Sequence, residues 1–568
     1  MQGKLILTSL ISLLGLSPVL IGAPLSQEPS RNIYQTYVRA FYDGSETPDG
    51  EGDFQGLIEK IDYFQELGVD TLLLMPVFKS TGGMGYIPRD YFLLDEAYGS
   101  IEQFEVFINT MHTHGIKIVL DAPVNHISFD SEWFKEGVKR SCDPNDEAHN
   151  PNDPNNQYCD YFYFIPNPCQ QLPYSNWHKP WHWQTTDCTA VWFEHPQIDR
   201  RYHREDYVYA TFFNVMPDLK FWNFATNSFH EPVVNRIQEF FNIWASRGVD
   251  GFRIDAAKHF IEGNDNKNPL QPENLALLKR WLEGVRQVNP DVSFIGEIWA
   301  GHDQFEPYLE GSLDMVLDFP FMESVRNSVN YNYGGSFKRV LKHFENTQDH
   351  IKPGQRVVFA GNHDVSRMLT QWDGNEDKLR MAHFLSLTSP HTPLLYYGEE
   401  LGMLGKVKRP DNTSDEEYVR TINAFSWRGD SDSVGFPGGI VPVTKPAENY
   451  KTHNLEVAQA NPDSAWNLVK ELLRIRKAFR ISENTKLRVL DDLYGHVIGY
   501  SFGTNDRCRV ILANFSADTT YTIAKPTIND CGSGSGSTHH MFLENAEVQD
   551  NNFEMRPYGK VIYDIHGS

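Results

Sequence analysis

From Ile33 onward, short β-rich apolar runs alternate with stretches whose apolar positions recur at helical spacing. The runs at residues 33–40, 69–78, 117–125, 249–256, 293–299, 315–321, 356–361 and 393–397 read as strands. Helical patterns lie between them at 54–67, 101–114, 231–247, 273–288, 337–346 and 377–387, and a last one follows at 464–479. Eight strands with interleaved helices over this length predict an α/β fold, a closed (β/α)8 barrel rather than an open doubly wound sheet.

Two stretches break the alternation. Residues 127–230, rich in Pro, Asn, Asp, Trp and Cys, are too long for a loop and predict a small domain inserted after the third strand. The tail from 483 to 568 carries strand-like runs at 496–502, 509–514 and 560–565 without helices, which predicts a C-terminal all-β sandwich domain. Within it residues 532–537 form a Gly/Ser run that reads as a flexible loop. The barrel is thereby expected in two pieces, 24–126 and 231–482, preceded by a leader at 1–23.

That leader has one cation at Lys4, an apolar stretch over 5–21 broken by Thr8, Ser9, Ser12 and Ser17, and small residues at Gly22 and Ala23. It reads as a secretory signal peptide, short for a stable membrane span, so the chain is expected to be secreted. Six cysteines in two local groups, Cys142, Cys159, Cys169 and Cys188 and then Cys508 and Cys531, favour disulfides over zinc, because none forms a close CxxC pair. Two sequons, at Asn412 and Asn514, match the glycosylation pattern. With 51 Lys and Arg against 75 Asp and Glu, the net charge of −24 repels phosphates and argues against a nucleic-acid partner. Aromatics make up 13% of the chain, and flat apolar faces suit stacking on sugar rings as well as core packing. In the insertion, Tyr161, Phe162, Tyr163, Trp177, Trp181, Trp183 and Trp192 read more readily as the core of a small domain than as a cleft.

Functional groups of a barrel sit at the C-terminal ends of its strands. Four such ends are dense with chemistry here: Asp121 with Asn125 and His126, Arg253 and Asp255 with Lys258 and His259, Glu297, and Asn362-His363-Asp364. Strand periodicity puts Arg253 and Asp255 on one face, where the cation can hold the carboxylate. A lone strand-end Asp is ordinarily a cap, but capping does not require His and Arg beside each carboxylate.

In their order along the chain these segments resemble the motifs of the alpha-amylase family of glycoside hydrolases, and Met216-Pro217-Asp218-Leu219 resembles the short motif near the end of that family's inserted domain. The resemblance extends from about 33 to 565 and includes Gly85-Tyr86 and Asp90-Tyr91 after the second strand. It implies a retaining enzyme acting on α-1,4-linked starch or maltooligosaccharides, with Asp255 as nucleophile, Glu297 as an acid of raised pKa, and Asp364 as stabiliser of the oxocarbenium-like transition state. His126 and His363 are similar to the family's hydroxyl-binding histidines, Tyr86 to its stacking platform and Arg253 to its orienting cation. Lys258 and His259 match positions that face sugars on the leaving-group side. Asn125, Asp218 and the main-chain carbonyl of His259 match calcium ligands, whereas Lys220 departs from the acid or neutral residue of many calcium-binding members. An exo-acting alpha-glucosidase or a transglycosylase of the same family is the alternative. Lys258-His259 looks amylase-like, and residues 420–427 with Gly435-Phe436 look closer to the glucosidase and intermediate branches.

Overall fold

The computed structural model describes residues 23–144, 157–165, 192–193, 207–213, 215–261, 272–407, 421–493, 495–504, 507–526, 528 and 538–566. Eight parallel strands close into a barrel: β1 (Ile33–Thr36), β2 (Thr71–Leu74), β3 (Lys117–Ala122), β4 (Gly251–Ile254), β5 (Ser293–Gly296), β6 (Met315–Leu317), β7 (Arg356–Val358) and β8 (Thr392–Tyr396), with β8 pairing back to β1. Every strand ends before the apolar run that announced it. The surplus residues at each C-terminal end leave the ladder and build the mouth. At the sixth run the cause is local: Asp318 accepts the Phe321 N–H at 2.9 Å and Pro320 sits in the first turn, so a helix, Phe319–Asn330, starts inside the expected strand. The second run likewise hides a hairpin, Phe78–Ser80 with Pro88–Leu94, whose connection carries Tyr86.

Alternation along the strands sorts the barrel interior into two levels. Ile33, Leu73, Val119, Ile295, Val357 and Leu394 pack into one buried cluster that forms an apolar floor. Leu25 joins that cluster, its N–H bonded to Ser293 Oγ at 2.9 Å. Each such buried aliphatic contributes about 1.5–3 kcal/mol relative to exposure. Two residues further along the same faces come Gln35, Asp121 and Glu297, with Arg253 at the equivalent level of β4. The floor is apolar and the mouth is ionic, one register step apart.

Of the insertion, the described residues include a Cys142–Cys159 disulfide and a ring cluster of Trp133, Tyr158 and Tyr161 beside the buried Phe162. The side chains of Trp177, Trp181, Trp183 and Trp192 lie outside the described residues, as do Cys169, Cys188 and Cys531 and the 532–537 run. The terminal strands form the expected all-β domain, its six antiparallel strands among the described residues joined in one hydrogen-bonded ladder. One long strand, Asn552–His566, serves both ends: its second half pairs with Arg507–Asn514, its first half with Tyr521–Ala524, and Tyr558 between them takes a φ of 54°. One face of this sheet holds its own core of Val510, Leu512, Phe553 and Val561, and the other packs Tyr500, Phe502, Ile511 and Ile562 against the barrel. Asn514 is no glycan acceptor, because it is fully buried and its amide donates to the carbonyls of Thr519 and Arg556. Asn412 lies outside the described residues. Among the described residues no helix is long and apolar enough to cross a membrane.

Candidate active site

Arg253 is the hub of the barrel mouth. It stands opposite Asp121 in the β3–β4 register, so their side chains meet inside the barrel. Its Nη1 donates to both Asp121 oxygens at 2.7 and 2.8 Å and to Asp255 Oδ1 at 2.8 Å, while Nη2 lies 3.2 Å from Glu297 Oε2. Glu297 also accepts the Ala256 N–H at 2.9 Å. That bond exists because the chain turns sharply after β4, with Ala256 at a φ of 50°. Asp255 and Glu297 lie within hydrogen-bonding reach of each other.

Asp364 completes the group from the end of β7. Its N–H donates to Asn362 Oδ1 and its Oδ2 accepts from Asn362 Nδ2, both at 3.1 Å, which fixes the carboxylate in a tight turn. His363 stands beside it, Nε2 to Asp364 Oδ1 at 3.4 Å, and Gln35 Nε2 donates to Nδ1 at 3.2 Å. Tyr86 lies flat on His363, ring centres 5.2 Å apart and planes 9° apart, and its hydroxyl donates to Asp121 Oδ2 at 2.6 Å.

The charges are unevenly held. Burial raises Asp255 well above the ordinary carboxylate range, against the pull of Arg253. Burial and then the charge of Glu297 push Asp364 up to about 7. Burial would raise Glu297 too, but Arg253 and the Ala256 N–H outweigh it and hold Glu297 below its ordinary value. The elevated carboxyl expected at Glu297 is therefore found at its neighbour in the mouth: in the free site Asp255 is raised and Glu297 is lowered. Burial lowers His363 and His126 to about 4, so both are neutral near pH 7.

The remaining expected residues take less direct places. His126 donates Nε2–H to the Tyr86 carbonyl at 2.9 Å, which positions the stacking ring. Lys258 donates Nζ to the carbonyl of Trp299 at 2.8 Å. The rings of His126 and His259 both pack against Phe212, at 5.5 and 5.3 Å. Asn125 and Asp218 come together through an antiparallel bridge between His126 and Asp218 and the Leu219 N–H to Asn125 carbonyl bond at 3.0 Å. Lys220 is ion-paired with Asp160.

Sequence reasoning named Asp121 within its motif yet gave it no role. The structure makes it the buried counter-charge of Arg253, and its placement opposite Arg253 on adjacent strands was the available signal. Trp299, two residues past Glu297, was passed over as a strand residue. Trp299 is 42% exposed and its ring lies on Phe319 at 4.5 Å and 15°, leaving an open aromatic face. No spacing rule announces that exposure.

A closed parallel barrel whose mouth gathers two touching carboxylates and a third around one guanidinium, beside a stacking ring, has the build of a glycoside hydrolase. Residues 35–484 match the family model of the alpha amylase catalytic domain, and the chain belongs to the alpha-amylase family. It is 30% identical over 538 residues to Alpha-amylase 3 of Dictyoglomus thermophilum, covering 94% of this chain and 92% of that one. It is 31% identical over 410 residues to a 4-alpha-glucanotransferase of Thermotoga neapolitana, covering 71% and 77%. Among solved structures, an alpha-amylase from H. orenii superposes with a TM-score of 0.73 at 25% identity, covering 94% of this chain and 99% of that one.

Proposed function

We propose that the chain hydrolyses α-1,4-glucosidic bonds inside starch-like glucans with retention of configuration. The observation that carries this reading is that Asp255 and Glu297 stand side by side on one guanidinium, 2.8 Å from Arg253 Nη1 and 3.2 Å from Nη2, within hydrogen-bonding reach of each other. An inverting pair stands about 6.5–9.5 Å apart to hold a water between its carboxyls, and a pair in hydrogen-bonding reach leaves no such room. Asp255 attacks the anomeric carbon and forms a glycosyl ester. Glu297 protonates the leaving oxygen and afterwards takes a proton from water. Glu297 must carry a proton when it meets the leaving oxygen, and positive charge developing at the anomeric carbon favours the ionised nucleophile. Asp364 and neutral His363 hold ring hydroxyls, and Tyr86 stacks beneath the ring with its orientation fixed by His126 and Asp121.

The reading also includes calcium between barrel and insertion. Its support is chemical: Asn125 and Asp218 are buried neighbours with hard oxygen donors. Pairing with Asp160 neutralises Lys220, the cation that would oppose the ion. Asn125, Asp218 and the His259 carbonyl would hold the metal, which would tie the two parts together without entering the reaction. Chelation is expected to lower the melting temperature and calcium to restore it; a melting curve unmoved by exhaustive chelation would remove the site. Export and disulfide formation belong to the same reading, supported by the 1–23 leader and the Cys142–Cys159 pair. Amino-terminal sequencing of protein from the medium tests them, and an intact leader on a cytoplasmic product would overturn them.

The deciding experiment is a time course on soluble starch and on a short maltooligosaccharide. Mid-chain cleavage lowers viscosity and iodine colour before much reducing sugar appears, and proton NMR should show the α-anomer first. Glucose as the dominant early product would move the chain to the exo-acting alpha-glucosidases, and products longer than the substrate to the transglycosylases.

A further inference from the structure

Away from the catalytic mouth, one stretch of surface is built in a way that folding alone does not require. The loop between helices Phe319–Asn330 and Gly335–Thr347 reads Tyr331-Asn332-Tyr333, and its two rings are 73% and 50% exposed. Exposed tyrosines on a slack loop would mean little. This loop is pinned: Tyr558 donates its hydroxyl to Asn332 Oδ1 at 3.0 Å, His496 Nδ1 donates to the Asn332 carbonyl at 2.6 Å, and the Gly334 N–H reaches the Gly495 carbonyl at 3.3 Å. All three partners belong to the terminal sheet domain or its entry. Asn332 is thereby held at a φ of 52°, a left-handed conformation that costs energy for a residue other than glycine.

The Tyr333 ring meets His496 edge to face at 5.8 Å and lies against Gly335, where a Cβ would come within 2.5 Å of the ring. Gly335 also lines an open groove of about 550 Å³ between its helix and Asp491, so the tyrosine stands at the end of that groove. The rest of the lining includes Lys338, Arg339, Lys342, Asn346 and Asp491. Lys338 is fixed by the Leu493 carbonyl at 2.6 Å and Lys342 by Asp491 at 2.7 Å. The site therefore combines flat aromatic faces with closely spaced donors and an acceptor on a shallow, solvent-open surface. A sugar chain offers the matching chemistry, apolar ring faces rimmed by hydroxyls that both donate and accept. A lipid tail would find no apolar depth, and a polyanion would meet Asp491 and a net charge of −24.

We propose that Tyr331, Tyr333 and the adjoining groove form a second, non-catalytic binding site for an α-glucan chain, holding polymer at the seam between barrel and terminal domain. The proposal rests on the reading of the substrate as a starch-like glucan. It shares no residue with the catalytic cluster, so polymer binding and bond cleavage can be separated.

The test compares the full chain with the double variant Tyr331→Ala/Tyr333→Ala, and with Tyr331→Ala alone in case the buried edge of Tyr333 is needed for folding. Retention on insoluble starch and retardation in amylose-containing gels are measured in an Asp255→Asn background, so the ligand is not consumed. Turnover of maltotriose and of starch granules is measured with Asp255 intact. The double variant is expected to bind granules about five- to tenfold more weakly and to attack them correspondingly more slowly, with maltotriose kinetics within about twofold of the parent. Tyr331→Ala alone should show part of the same loss. Unchanged retention in both variants, or an equal loss on maltotriose and granules, overturns the proposal. Failure of the functional reading looks different: the parent chain itself would leave starch and maltotriose uncut.

Discussion

Two groups of carboxylates, one in the barrel mouth and one behind it, differ in what reaches them. At the mouth, Asp255, Glu297 and Asp364 gather near Arg253 with side-chain exposures of 14%, 16% and 25%. Beyond the end of β8, Glu399 and Glu400 are sealed. Glu400 Oε1 takes the hydroxyls of Tyr34 and Tyr63 at 2.8 and 2.6 Å, and Glu399 takes the Met368 N–H at 3.1 Å beside Arg367. Burial pushes Glu399 up to about 7, much as it does Asp364. A raised carboxyl pKa therefore marks burial, not a site. What distinguishes the mouth is access, together with unequal partners: one guanidinium and one N–H hold Glu297 below its ordinary range while its neighbour Asp255 is raised. The sealed pair is closed off from solvent and from any ligand.

The largest effect expected of this contrast is at Asp255. Asp255→Asn should lower turnover on starch by about 10⁴-fold or more while the melting temperature stays near that of the parent, because the amide is nearly isosteric but a poor nucleophile. Substitution of Glu400 should leave turnover within about twofold. Comparable losses of turnover from both substitutions would erase the distinction.

Asp121 sharpens it from the inside, since it is as buried as Glu400 and yet bonded to the hub. Asp121→Asn should cost about ten- to a hundredfold in kcat/KM, as expected when the partner of an orienting group is neutralised. Asp121 also raises the proton affinity of Asp255, so its removal should move the alkaline limb of kcat/KM, set by loss of the proton held by the Asp255–Glu297 pair, toward lower pH. A purely architectural role would lower activity and leave the limb in place.

Legibility in the sequence followed the same line. The eight strands and the three carboxylates could be read because period-two alternation and clustered polar strand ends are local patterns. The insertion's length and the helix-free tail were local too. What escaped depends on distant residues: Arg253 choosing Asp121 across a strand, the Arg253 charge and then the Ala256 N–H lowering Glu297, and the Phe319 ring leaving one face of Trp299 open. The strand ends were overrun because apolar residues past the ladder continue the pattern while serving the mouth, and Met315–Leu317 gives way to a helix through a cap and a proline that the apolar run concealed. That one fifteen-residue strand pairs at both ends of the terminal domain is a detail no periodicity records.

Trp299 and Lys258 give the next smaller effect. Lys258 was expected to grip sugars on the leaving-group side, and in the structure its ammonium holds the Trp299 carbonyl. If the open Trp299 face is the platform there, Trp299→Ala should weaken cleavage of long chains relative to short α-glucosides by about 1 kcal/mol in transition-state terms, and Lys258→Ala in the same direction by less. A greater selective loss from Lys258→Ala would return the contact to the lysine.

The smallest effect is at the sealed pair, and its sign is fixed by linkage. Burial raises Glu400 above its ordinary value, so as pH climbs past about 4.3 the unfolded chain releases that proton while the folded chain still holds it. The stability Glu400 contributes is full below that pH and is lost progressively as pH rises through the raised folded value. Glutamine cannot titrate, and its carbonyl can still accept both tyrosine hydroxyls. Its NH2 would take the place of Oε2, which has no hydrogen-bond partner among the described residues. Glu400→Gln should therefore change stability by less than about 1 kcal/mol at pH 4.5 and gain on the parent steadily toward pH 7, as read from melting temperatures across that range. Glu399 is raised in part by the Glu400 charge, so its smaller upward shift in the variant adds to the gain with the same sign. A gap that stays constant with pH would mean that Glu400 is ionised in the fold, and the two carboxylate groups would then differ in access alone.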